Sequence, residues 1–287
     1  MRAPRVLVVA NQKGGVGKTT TVINLSTALA AIGERVLIID LDSQGNASTG
    51  LGVTRVTPSI YDVLTGSCTI WDAVRQTAVP RLHIVPSTTD LVGVDLEIFR
   101  KADRLFRLRN YLDLFFTSLN NHADIISYIL IDCPPSLNVL TINGLAAANS
   151  IIVPLQCEYF ALEGLSQLLT TVEHVRATLN PTLTIHGILL TMFDQRNSVA
   201  GQIESDVRAH MGTMVYETVI PRNVRVAESP SHGKPVLLYD LKCAGSQAYL
   251  RLASEIIQRE ALAADPGGDK RCGNAAARPI QTSRRPI

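Results

Sequence analysis

The chain has 287 residues, 46% of them hydrophobic and 18% charged, with a formal net charge of +2. That balance suits a globular protein with a sizeable core, and its near neutrality carries no nucleic-acid signal of its own. No apolar run reaches the roughly 18 residues of a membrane-spanning helix, and the five cysteines show neither CxxC nor metal-ligand spacing, as expected of reduced cytosolic thiols.

The first element, Val6 to Ala10, is a short β-branched run expected to form a strand buried on both faces. A glycine-rich loop follows at once, so the start reads as a strand and not a signal peptide. Residues 19–32 carry apolar positions at helical spacing and are closed by Gly33. A second buried strand spans 35–41, and further strand-like runs lie at 82–85, 125–131, 150–155 and 184–191, with a weaker one at 214–220. Helical patterns lie at 103–119, 137–148, 159–179, 199–211 and 245–260. This alternation predicts an α/β fold, a mostly parallel twisted sheet with helices on both faces. With no composition break, residues 1–262 read as one domain. From about Ala264 the sequence turns to Gly, Pro, Asn, Gln and Arg, and 263–287 is expected to be a disordered tail.

The chemistry begins at Asn11-Gln-Lys-Gly-Gly-Val-Gly-Lys-Thr-Thr20. A strand, a glycine-rich loop and a helix start in this order make a polyphosphate site, because free backbone N–H groups and the helix dipole converge there. The pattern G-x-x-x-x-G-K-[ST] is met at Gly17-Lys18-Thr19, but its first glycine would fall at position 12, where Gln stands. Lys13 adds a second cation to a loop that needs one. Gly14, Gly15 and Gly17 are expected to let the backbone come close to phosphate and adopt positive φ. Lys18 would reach the β- and γ-phosphates, and the Thr19 hydroxyl would bind magnesium. Asp132, ending the apolar run 125–131, would complete the magnesium shell through water. Asp40 and Asp42 close the second strand, and residues two apart point to one face, so both carboxylates are expected at the phosphate crevice.

Three stretches together, KGGVGKTT, DLDSQGNAS and ILIDCPPSL, resemble the deviant Walker A ATPases of the ParA/Soj family. The likeness continues through residues 153–164, 190–194 and 220–235 and covers about 4–260. It implies ATP and magnesium as ligands, with Lys13, Gly14, Gly15, Val16, Gly17, Lys18, Thr19 and Thr20 around the nucleotide and Pro221 and Asn223 nearest the adenine. It implies that Lys13 is a signature lysine reaching the phosphates of a partner subunit in an ATP-bound homodimer. Lys18 then acts in cis, Asp42 activates the attacking water and helps hold the metal with Thr19, and Asp132 is the Walker B aspartate. One departure is Ser43, where the family commonly has proline, which pre-sets φ in the turn.

The same resemblance implies non-specific binding of double-stranded DNA by the ATP dimer, through Arg196 and Arg225 with Arg222 assisting, and stimulation of hydrolysis by a ParB-type partition protein. The expected place is the cytoplasm, on the nucleoid. The basic stretch Arg100, Lys101, Arg104, Arg107 and Arg109 reads instead as a solvated helix face. The alternative is a MinD-like membrane-cycling ATPase. That would need a C-terminal amphipathic helix, whereas the last residues hold Pro266, Pro279 and Pro286 and few large apolar side chains, so no stable membrane association is expected. A cluster-bearing relative would need Cys133 or Cys157 at a dimer seam. The P-loop's position at residue 11 is expected to leave no room for an N-terminal helix-turn-helix.

Overall fold

The computed structural model describes residues 4–54, 56–119, 126–159 and 161–264. Among them, β1 (Arg5–Val9), β2 (Val36–Asp40), β3 (Arg75–Gln76), β4 (Leu82–Val85), β5 (Tyr128–Asp132), β6 (Ser150–Gln156) and β7 (Thr184–Thr191) form one sheet. Its order is β3-β4-β2-β5-β1-β6-β7, parallel throughout except for the β3–β4 pair. The central strands are Val, Leu and Ile runs because both of their faces are covered.

Alternation sorts the two faces. Val6 and Val8 of β1, with Leu37, Ile39, Ile129 and Ile131, pack beneath the helices Arg107–Leu119, Val139–Ala147 and Ala161–Thr178. Leu7 and Val9, with Val36, Ile38 and Leu130, pack against α1 (Lys18–Ala31) and the helix Ala244–Ala264. Each of these side chains taken out of water contributes about 1.5–3 kcal/mol before the chain's ordering entropy is counted.

The expected strands 82–85 and 184–191 fall at their expected bounds. The run expected at 125–131 is β5 at Tyr128–Asp132, so Asp132 sits inside the strand; Ile125 lies outside the described residues. The weak run 214–220 is not a strand. It follows a 3-10 turn, Gly212–Met214, and touches the sheet by isolated bridges at Ile188–Val215 and Phe193–Pro221. The amides of Glu217 and Thr218 donate to the Glu255 carboxylate at 2.9 and 3.0 Å instead of to a neighbouring strand. The tail expected over 263–287 falls, from residue 265 onward, outside the described residues.

Register is what builds the site. Val9 and Asp40 both pair with Asp132, so β1, β2 and β5 end together. The segments leaving those three ends, residues 10–17, 41–45 and 133–138, therefore share the C-terminal edge of the sheet, where open α/β sheets bind ligands.

Candidate nucleotide site

The loop from Ala10 to Gly17 is shaped by backbone geometry and three side-chain ties. Gly15 and Gly17 have φ of 75° and 85°, in the region that disfavours a Cβ. Gly14 does not share this positive φ, and a Cβ there would meet only Pro135 at 3.9 Å, an ordinary contact. The Asn11 amide donates to Pro154 O at 2.7 Å while its Oδ1 accepts the Lys13 N–H at 3.0 Å. Thr191, at the end of β7, donates to Val16 O at 2.9 Å and fixes the loop to the sheet. Gly17 caps α1 without a side-chain acceptor. The helix's first amides, including those of Lys18, Thr19 and Thr20, are thus left for an anion.

The two loop lysines occupy opposite environments. Lys18 is buried, and its Nζ donates to Lys13 O at 2.9 Å. Burial lowers its pKa, opposed by the neighbouring Asp132, Cys133 and Asp42. Lys13 turns outward with 44% of its side chain exposed, and its Nζ lies 2.5 Å from Glu158 Oε2.

The acids divide the same way. Asp40 and Asp132 are both fully buried, but only Asp40 is fully engaged. Asp40 Oδ2 accepts the Ser48 amide at 2.9 Å and hydroxyl at 2.7 Å, and Oδ1 accepts the Asp42 amide at 3.2 Å. Burial raises its pKa to about 6 against those hydrogen bonds. Asp40 therefore organises the turn and does not face the crevice with Asp42, contrary to the alternation argument. The reason is that the turn Asp42–Gly45 brings Ser48 back onto Oδ2, while Oδ1 holds the Asp42 amide. Asp42 accepts the Gln44 amide at 3.0 Å through Oδ1.

Asp132 has no hydrogen-bond partner of normal geometry on either oxygen. Burial, then the neighbouring Asp40, raises its pKa well above the carboxylate range, while the nearby Thr19 hydroxyl and Lys18 favour the charged form. A buried carboxylate left unsatisfied beside a threonine hydroxyl fits a hard divalent cation. Among the described residues no group of three or more His, Cys, Asp or Glu side chains forms a metal cage. Magnesium is held by one or two protein groups with phosphate oxygens and water, and needs no such cage. Cys133 and Cys157 are buried, and burial raises the pKa of both thiols, Cys157 to about 11.

Beside Gly17 and Thr20 opens a cavity of about 250 Å³, and Pro221 and Asn223, the two residues expected nearest the adenine, are in its wall. Asn223 Oδ1 caps the helix Val224–Glu228 by accepting the Arg225 and Val226 amides at 2.9 and 3.3 Å. The wall also includes Thr191, Met192 and Tyr249, which sequence reasoning missed. Met192 carries a signal only geometry shows, a φ of 49° in a non-glycine residue. Pro221 and Arg222 line this cavity and also a larger cleft of about 670 Å³ that holds Arg196 and Arg251.

The three expected DNA arginines are not gathered in one place. Arg196 shares the larger cleft with Arg222, clamped by Asp194 at 3.0 and 2.9 Å, and that hydrogen bonding holds the Asp194 carboxyl down at about 2. Arg225 lies outside the cleft lining and pairs with Glu228 at 3.2 Å and Asp240 at 3.7 Å. In the basic stretch read as a solvated face, Arg107 is instead buried and donates to Leu64 O, locking the helix Arg107–Leu119 to the helix Ile60–Thr65.

A family model described as an AAA domain matches residues 4–185. The chain is 59% identical over 258 residues to the chromosome partitioning protein ParA of Caulobacter vibrioides, covering 89% of this chain and 95% of that protein. It is 47% identical over 256 residues to the chromosome-partitioning ATPase Soj of Treponema pallidum, covering 89% and 98%. Among solved structures, cobyrinic acid a,c-diamide synthase from Mycobacterium smegmatis, with bound ADP and magnesium, matches with a TM-score of 0.76 at 35% identity over 90% of this chain and 96% of that one. A loop carrying two lysines, an unsatisfied Asp132 beside Thr19 and a likeness over nearly the whole chain agree: the protein belongs to the ParA/Soj family of chromosome-partitioning ATPases.

Proposed function

We propose that the protein is an ATP-switched DNA segregation ATPase in which two subunits close over two nucleotides. The observation that carries this is the outward Lys13. The inward Lys18 already serves its own loop, so a second, exposed cation on the same loop gains its purpose only from phosphates bound by another subunit. ATP and magnesium are the ligands, and residues 1–262 act as one ATPase domain.

In each subunit the amides of Gly14 to Thr20 cradle the phosphates, and Lys18 leaves Lys13 O for the β- and γ-oxygens. Thr19 and Asp132 would hold the magnesium, with Asp42 at its edge; when bound, the ion neutralises charge on the β- and γ-phosphate oxygens. Asp42 has Oδ1 occupied by the Gln44 amide, which directs Oδ2 at the attacking water. Lys13 of the second subunit adds positive charge where it develops in the transition state, as an arginine finger does. Pro221 and Asn223 meet the base.

The dimer presents Arg196, Arg222 and Arg225 to duplex phosphates without reading sequence, and hydrolysis, accelerated by a ParB-type partner, releases the DNA. A monomer of net charge +2 is compatible with this, because dimerisation gathers local basic surfaces. Among the described residues no helix is long and apolar enough to cross a membrane. The place of action is the cytoplasm, on the nucleoid.

The test uses Asp42→Ala, which blocks hydrolysis and holds the ATP state. With ATP and magnesium this variant is expected to bind arbitrary duplex DNA with an affinity that falls steeply with salt, and without ATP to bind far more weakly. Equal, salt-insensitive binding in both states would overturn the proposal.

A further inference from the structure

The Lys13–Glu158 contact joins loop residues 145 positions apart and is the shortest ion pair among the described residues. Both ends are held from behind. The Lys13 amide donates to Asn11 Oδ1 at 3.0 Å, and its carbonyl accepts Lys18 Nζ at 2.9 Å. The Glu158 amide donates to Gln156 O at 2.9 Å, and its carbonyl accepts the Ala161 amide at 2.8 Å at the start of the helix Ala161–Thr178. The cation that must cross to another subunit is therefore satisfied within its own chain, by a carboxylate on the segment following β6.

We propose that Glu158 is a positioning residue that latches Lys13 in cis, so that nucleotide-driven dimerisation must first break one such pair in each subunit. This rests on the trans role proposed for Lys13. A second contact links the two lysines: Lys18 Nζ rests on the carbonyl of Lys13 until phosphate draws it away. Phosphate binding thus loosens the backbone that presents Lys13, and the latch opens more easily in the nucleotide-bound subunit than in the empty one. Glu158 raises the threshold for dimerisation and touches no reacting atom.

An exposed ion pair of this kind shifts an equilibrium by about 1.4- to 5-fold. Two pairs break per dimer, so Glu158→Gln should raise the dimerisation constant with ATP and magnesium by roughly 2- to 30-fold. The gain should shrink at high salt, where the wild-type pair is already screened.

The experiment measures dimerisation by analytical ultracentrifugation in the full chain, in the hydrolysis-blocked Asp42→Ala background, at low and high salt. Four forms are compared: no further change, Glu158→Gln, Lys13→Ala, and Lys13→Ala with Glu158→Gln. Thermal melting confirms that each is folded. The expected result is tighter dimerisation for Glu158→Gln at low salt only, none for Lys13→Ala, and no effect of Glu158→Gln once Lys13 is gone. Unchanged or weakened dimerisation in Glu158→Gln, with Lys13→Ala still defective, overturns the latch and spares the trans lysine. Normal dimerisation of Lys13→Ala overturns the underlying reading itself.

Discussion

At the scale of single residues, two side chains of the same type are sorted by where their bonds point. Lys18 faces the crevice and has its pKa lowered by burial, whereas Lys13 faces outward. Under the proposed function, Lys18→Ala loses charge-assisted contacts worth about 1.5–3 kcal/mol, a 10- to 150-fold weaker ATP affinity. Lys13→Ala should leave monomer affinity for ATP near wild type. Isothermal titration of both variants checks this, and equal losses would deny the division of labour. The placing of Lys18, Asp42 and Asp132 at one edge of the sheet was legible in the sequence, because loop and strand-end chemistry needs those residue types at those spacings. The engaged state of Asp40 was not. It depends on Ser48, eight residues away, folding back, which alternation along a strand cannot foresee.

At the scale of elements, close approach fixes β7 against the segment behind it. Gly187 lies on β7 where a Cβ would fall 2.6 Å from the Tyr216 ring. That ring cannot yield: it is buried, its hydroxyl is 2.7 Å from His186 Nδ1, and the Arg259 guanidinium lies over its face at 4.5 Å. Gly187→Ala is therefore expected to destabilise the fold by about 1–3 kcal/mol. At Gly50 the clash, also 2.6 Å, is with the terminal methyl of Ile23, which can turn aside, so Gly50→Ala should cost less. Urea denaturation of the two variants ranks them, and a larger loss for Gly50→Ala would contradict the argument. The strands and long helices were readable because period 2 and period 3.6 persist over enough residues. The helices Asn46–Gly50, Ile60–Thr65 and Ile70–Ala73 complete less than two turns and escaped. Two of them did leave a local mark, Ser59 with Asp62 and Thr69 with Asp72, each an N-cap bonded to a carboxylate three residues on.

At the scale of the whole molecule, the end of the sheet away from the nucleotide is tied together by Glu260. This carboxylate, on the helix Ala244–Ala264, accepts from Arg5 of β1 at 3.0 Å and from Tyr128 of β5 at 2.8 Å, and lies 3.6 Å from His186 of β7. Burial pushes its pKa up, but the hydrogen bonds from His186, Tyr128 and Arg5 together outweigh it, and the net shift is downward. A carboxyl held below its ordinary value of 4.5 adds stability above that pH and loses it as the pH falls through the folded-state value. Glu260→Gln should therefore lower Tm at pH 7, where charge-assisted bonds of this kind contribute about 1.5–3 kcal/mol. It should also flatten the fall of Tm between neutral pH and pH 3. Melting curves across that range test it, and parallel wild-type and variant profiles would count against it. No sequence pattern announced this network, since its members lie up to 255 residues apart. Nor did any pattern announce that Pro221 and Arg222 form a wall common to the base cavity and the arginine cleft. A ligand in either space would therefore touch the same short peptide. Under the proposed function, whatever factor ATP adds to the grip on DNA, DNA must return to the grip on ATP, so that the chromosome becomes an effector of the nucleotide site as well as its cargo track.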